Sequence, residues 1–101
     1  MHGWKTVERA IPGPVLIDQA VARATNLGFT VHARQPGHVV LHRAGTQLTV
    51  RGDRFPLELT IAEAEDGLFL RLRYNTFVLF DTGDLERVAD DLASAMTSAA
   101  T

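Results

Sequence analysis

FPLELTIAEAEDGLFLRLRY, Phe55 to Tyr74, reads as a β-hairpin. Phe55, Leu57, Leu59 and Ile61 alternate with Pro56, Glu58, Thr60 and Ala62. A period of two marks a strand with one buried face. Asp66-Gly67 is a hairpin turn dipeptide. Leu68, Leu70, Leu72 and Tyr74 then resume the alternation. A turn from Ala64 to Gly67 sets Ile61 opposite Leu70 and Leu59 opposite Leu72. On the other face it sets Glu58 opposite Arg73, an opposite-charge cross-strand pair. One face of this hairpin must be covered; the other can meet water.

Upstream, the alternation continues in shorter pieces. Phe29, Val31 and Ala33 are expected on the apolar face, with Thr30, His32 and Arg34 on the other. Gln35-Pro36-Gly37 turns the chain, and Val39 and Leu41 resume the apolar face. Ala44-Gly45 is a second turn; a two-residue loop there pairs Leu41 with Leu48 and Val39 with Val50. Gly52-Asp53-Arg54 turns the chain again. The hairpin over 34–39 has two readings. The apolar register asks for a three-residue loop from Gln35, but a residue before proline disfavours the conformation this needs. A bulge near His38 resolves the conflict. A two-residue loop instead flips the phase and parts His32 from His38 and His42.

Two segments change period. Ile17, Ala20, Val21, Ala24 and Leu27 recur at helical spacing, which predicts a helix from about Pro14 to Leu27. Pro14 suits a first turn and Gly28 suits the left-handed position after a last turn. Leu85, Val88, Leu92, Met96 and Ala99 predict a C-terminal helix. Trp4 to Arg9 alternates weakly and is expected as a short edge strand. Between Tyr74 and the last helix, a bend near Asn75-Thr76 followed by more strand is expected.

The expected architecture is α+β: an antiparallel sheet of five or six strands with two helices packed on one face, in the order (β)-α-β-β-β-β-β-α. In element order this is similar to the TATA-binding-protein-like and helix-grip topologies. Order alone passes on no function. The 101 residues suit a single domain over 1–101. A chain of this size buries roughly 65% of its unfolded surface, enough for one core without staples. The expected core is Ile17, Val21, Leu27, Val31, Leu41, Leu48, Leu57, Leu59, Ile61, Leu70, Leu72, Val88, Leu92 and Met96.

Composition narrows the function classes. Apolar residues make up 46% and charged residues 22%, a globular balance. There is no cysteine, which removes disulfides, thiolate metal sites and cysteine nucleophiles, and fits a cytoplasmic setting. The start, MHGWKTVERA, has no long apolar run, so neither a secretory signal nor a membrane partner is expected. Net charge is −2, so no global field draws the chain to nucleic acid.

Several short motifs tempt. Asp81-Thr82-Gly83 spells the catalytic tripeptide of aspartic proteases. That chemistry needs two carboxylates sharing a proton and further sheet behind the motif. Here only an amphipathic helix follows, so Asp81 or Thr82 reads as its N-cap, with Asp84 and Glu86 at the positive end of its dipole. Arg51-Gly52-Asp53 spells an adhesion tripeptide, but Gly and Asp in a hairpin are turn residues first. His32, His38 and His42 fall together on the face away from the helices. They are the candidates for a metal, since zinc takes three protein ligands and a water when catalytic. The same face gathers Val40, Arg51, Phe69, Arg71 and Arg73, with Arg34 and Thr49. No catalytic or cofactor-binding constellation stands out, and no cofactor is expected.

The leading expectation is a small non-enzymatic binding or protein-interaction domain. It would act on a protein partner or as a homodimer, through the open sheet face or an edge strand. A ligand-binding or enzymatic pocket between sheet and helices is the alternative. A nucleic-acid or anion site on the arginines of the outer face ranks below it, because one aromatic makes a poor stacking platform.

Overall fold

A computed structural model of the chain describes residues 6–44, 56–74 and 84–98. Its elements are strand β1 (Thr6–Pro12), helix α1 (Ile17–Asn26), strands β2 (Thr30–Gln35), β3 (His38–Arg43), β4 (Leu57–Ala64) and β5 (Gly67–Tyr74), and helix α2 (Asp84–Ser98). The five strands form one sheet in the order β1-β5-β4-β3-β2, and every neighbouring pair is antiparallel. The α+β expectation holds. The expected strand through Leu48 and Val50, the bend at Asn75-Thr76, Arg51-Gly52-Asp53 and Asp81-Thr82-Gly83 lie outside the described residues.

The β4–β5 hairpin has the expected register: Ile61 faces Leu70, Leu59 faces Leu72 and Glu58 faces Arg73. Leu57, Leu59, Ile61, Leu68, Leu70, Leu72 and Tyr74 are all buried, and each large apolar side chain so covered contributes about 1.5–3 kcal/mol. Both helices cover this face. α2 lies over β1 and β5, α1 lies over β4 and β2, and the helices touch each other. Leu85, Val88, Ala89, Leu92 and Met96 seal the α2 side, and Ala20, Val21 and Ala24 the α1 side.

β3 corrects one expected pairing. Its two neighbours are β2 and β4, with Leu41 opposite Val31 on one side and Leu59 on the other. Both sides of β3 are therefore paired within the described residues, where Leu48 and Val50 had been expected on one of them. Any strand with the right alternation satisfies the parity of Val39 and Leu41, so parity assigns a face and leaves the neighbour open.

β2 corrects two more. The Pro36-Gly37 turn has two loop residues, since Gln35 faces His38, and Gly37 takes the positive φ (71°) that the turn requires. The bulge sits between Val31 and Ala33 rather than near His38. His32 is its extra residue. Ala33 therefore turns to the outer face opposite Val40, and Arg34 turns to the helix face opposite Val39. β2 is exposed throughout, and Val31, expected in the core, keeps 39% of its surface in solvent.

α1 starts later than expected. Val15 N–H donates to the Gly13 carbonyl at 2.9 Å, which ties Pro14 into a turn ahead of the helix. Leu16 stands at the N-cap in an extended conformation, and its N–H donates to Gln19 Oε1 at 3.4 Å. The other end is as expected. Gly28 has φ +97°, its N–H donates to the Thr25 carbonyl, and the Phe29 N–H reaches back to the Ala24 carbonyl. This is a Schellman motif, with Phe29 and Ala24 in the core beneath it. Leu27, expected in the core, is left 40% exposed at the C-cap. β1 runs on to Pro12 and buries Val7 and Ile11, which carry the core to that edge.

Candidate functional site: the open face of the sheet

The face away from the helices is a grid whose rows are set by strand register. One row runs Ala10, Phe69, Ala62, His38, Gln35 from β1 to β2. The next runs Glu8, Arg71, Thr60, Val40, Ala33. The third runs Thr6, Arg73, Glu58, His42, Thr30. Val40, Phe69, Arg71 and Arg73 thus share this face as expected, while Arg51 lies outside the described residues. Arg34 does not belong to it. Its guanidinium meets Asp18 of α1 at 3.1 Å on the opposite side of the sheet.

Phe69 and Val40 are half-buried, with Ala10, Ala62 and Ala33 next to them on the grid. The charges around them are paired. Arg71 Nε lies 3.2 Å from Glu8 Oε2, directly across the strand pair. Arg73 Nε donates to Glu58 Oε2 at 2.8 Å. Both partners come from residue types the sheet places opposite one another, and each cation is already answered by a carboxylate.

The histidines separate into a pair and a single. The His32 and His42 rings stack at 4.1 Å between centroids, 18° from parallel. His38 is on the same strand and face as His42, but four residues away, or about 13 Å at strand rise. The expected convergence of all three does not occur. Among the described residues no group of three His, Cys, Asp or Glu side chains is arranged to hold a metal ion.

Glu58 joins the two halves of the third row. Its Oε1 lies 3.2 Å from His42 Nε2, while its Oε2 takes the Arg73 bond. The Arg73 hydrogen bond holds the Glu58 carboxyl below its usual value; partial burial pushes the other way, and the His42 bond adds to the lowering. An ionised carboxylate only accepts, so the hydrogen in the contact is on His42 Nε2. Glu58–Arg73 is legible in the sequence, because a tight turn joins those strands. Glu58–His42 and Glu8–Arg71 are not, because they depend on pairing between strands that no tight turn joins.

On the other side of the sheet, a cleft of about 170 Å³ opens between the end of α1, β3 and α2, lined by Leu27, Phe29, Arg43, Arg87, Val88, Asp91 and Leu92. Arg43 lies over the Phe29 ring at 5.0 Å and donates to the Leu27 carbonyl at 3.3 Å. Tyr74 is packed in the core at 1% exposure.

No helix among the described residues is long and apolar enough to cross a membrane. Comparison with known proteins returns no matching family model, no matching curated protein and no matching solved structure.

Proposed function

We propose that this chain is a non-enzymatic interaction module that binds a protein partner through the open face of its sheet. The observation behind the reading is the composition of that face. None of the described helices covers it, and Phe69 and Val40 stand there among alanines, inside a frame of paired charges. Apolar residues grouped on an open face favour contact, and arginine is enriched in interfaces. Five strands of about six residues span on the order of 500 Å², so pairing this face with a partner reaches the ~1,000 Å² in total that a specific interface needs. The pairing of Arg71 and Arg73 weighs against nucleic acid or another polyanion as the partner, because those cations are already neutralised. The lack of cysteine suits a reducing compartment, so the reading places the domain in the cytoplasm.

A ligand pocket between sheet and helices is the second reading, and the cleft beside Phe29 is its support. At about 170 Å³ it falls below the ~300–1,000 Å³ of ordinary small-molecule sites.

The test uses Phe69→Asp. Sedimentation at high concentration reads self-association, and capture from native lysate with mass spectrometry reads other partners. Association or capture that is present in the wild type and lost in Phe69→Asp is the expected outcome. A chain that stays monomeric, and whose captured proteins bind Phe69→Asp equally well, removes the open face from the function.

A further inference from the structure

We infer that the occupant of the open face is a second copy of this chain. The two copies pack face to face about a two-fold axis that lies in the plane of the sheets and runs across the strands. The inference rests on the partner reading above and names its partner.

Charge is the first observation behind this. Histidines apart, the charged members of the grid are Glu8, Glu58, Arg71 and Arg73, two of each sign. Each arginine is paired within the face, Arg71 with Glu8 and Arg73 with Glu58. A face with net charge repels its own copy and selects a partner of opposite sign. A face whose charges cancel receives a copy without that repulsion.

Layout is the second. The apolar residues of the grid stand in two adjacent rows, Ala10, Phe69 and Ala62 in one, Val40 and Ala33 in the next. Beyond the second of these lies the polar row of Thr6, Arg73, Glu58, His42 and Thr30. Beyond the first lie Pro12, Gly67 and Ala64, which carry no charge and no long side chain. An axis between the two apolar rows sets each row of one copy on its complement in the other. Phe69 meets the stem of Arg71, whose guanidinium is turned to Glu8. Val40 meets His38, Ala62 meets Thr60, and the polar row comes over Pro12, Gly67 and Ala64. Each contact occurs twice, as an isologous interface requires, and no charge faces one of like sign. An axis along β4 through the centre of the grid would instead set Glu58 on Glu58. Aligned sheets cross at about 30°, which displaces the outer strands more than the three in the middle.

Area is the third. The open face spans on the order of 500 Å², so two copies cover about 1,000 Å² between them. That is the lower end of specific interfaces, and it suits a weak, reversible dimer. Obligate dimers bury from about 2,000 Å² upward.

The test is sedimentation equilibrium of the untagged full chain, from micromolar to millimolar, with amide NMR spectra over the same series. The wild type should pass reversibly from monomer to dimer. The amides of Val40, Ala62 and Phe69 should shift with concentration, while those of α1 and α2 stay in place. Val40→Glu should lower the association constant by about tenfold or more, with its amide spectrum reporting that the fold is kept. His38→Lys supplies the complement. Mixed with Val40→Glu, it should form a heterodimer tighter than Val40→Glu forms with itself, because the two new charges meet only across the interface. A merely structural role of Val40 gives no such rescue. A wild type that stays monomeric at millimolar concentration overturns the second copy. If capture from lysate is then still lost in Phe69→Asp, the open face keeps its role with a different occupant; if it is not, the partner reading falls as well. A dimer that Val40→Glu leaves unchanged overturns the open face as its seat, and a mixture no tighter than Val40→Glu alone overturns the axis.

Discussion

Glu58 is the best-connected side chain on the open face. It accepts from Arg73 with one oxygen and faces His42 with the other, and its carboxyl is held below the ordinary value of 4.5. A carboxyl whose folded value is depressed stabilises the fold above the unfolded value, and that contribution fades as pH falls through the folded value. Glu58→Gln should therefore cost about 1 kcal/mol at pH 7, and the gap from wild type should narrow as pH falls below the ordinary value of 4.5. Urea melts at several pH values read this directly; a gap that persists unchanged at pH 3 would contradict it. Gly67 is bound by space rather than charge. A Cβ there would lie 1.9 Å from the Ile11 carbonyl oxygen, at φ +149°. Gly13 also has positive φ (96°) but nothing within 4 Å. Gly67→Ala should cost more than about 3 kcal/mol, because β1 must move, and Gly13→Ala only about 1 kcal/mol. Equal losses in thermal melts would mean that backbone conformation, and not the closeness of β1, sets the cost.

Among the described elements, the two strands at the ends of the sheet, β1 and β2, share a device. β1 turns Arg9 to the helix face, where its Nε meets Asp90 of α2 at 2.8 Å. β2 turns Arg34 to the same face, where it meets Asp18 of α1 at 3.1 Å. Each edge thus carries an inward-pointing charge tied to the helix beside it. β2 adds its bulge, and β1 ends in Pro12, which has no N–H to offer a neighbour. Charges, bulges and prolines at edges oppose strand addition. This turns the interaction reading toward the sheet face and away from the edges. Replacing both Arg9 and Arg34 with Val should increase concentration-dependent association relative to wild type, as read by sedimentation velocity. The ion pairs are half-exposed, so their loss should cost stability no more than about 1 kcal/mol each. Unchanged sedimentation would mean that the bulge and the proline are sufficient.

At the scale of the molecule, one apolar layer among the described residues joins five strands to two helices, and β4 runs through its middle. Leu59 sits on that strand with Leu41 on one side and Leu72 on the other, at 0% exposure. Leu59→Ala should cost about 2–5 kcal/mol, measured by urea denaturation. A loss below 1 kcal/mol would place the centre of the core elsewhere. Among the described residues the layer is one-sided, which leaves a sheet face for Phe69, Val40 and the histidines. Covering that face is the step on which the partner reading rests.

The faces of β4 and β5, their register, the apolar stripe of α2 and the glycine that ends α1 were legible in the sequence, because each depends on residues a few positions apart. Alternation put Val40, Phe69, Arg71 and Arg73 on the outer face without any knowledge of neighbours. Which strand lies beside β3 was not legible, since many strands satisfy the same period of two. The contacts of the candidate site follow from that choice. Glu58 reaches His42 only because β4 pairs with β3, on the side away from β2. His32 reaches His42 only because an extra residue sits in β2, and nothing local in Val31-His32-Ala33 announces it. Local periodicity determined which face each side chain would take. Tertiary pairing alone decided which side chains would meet there, because register between distant strands is settled by the packing of the whole sheet.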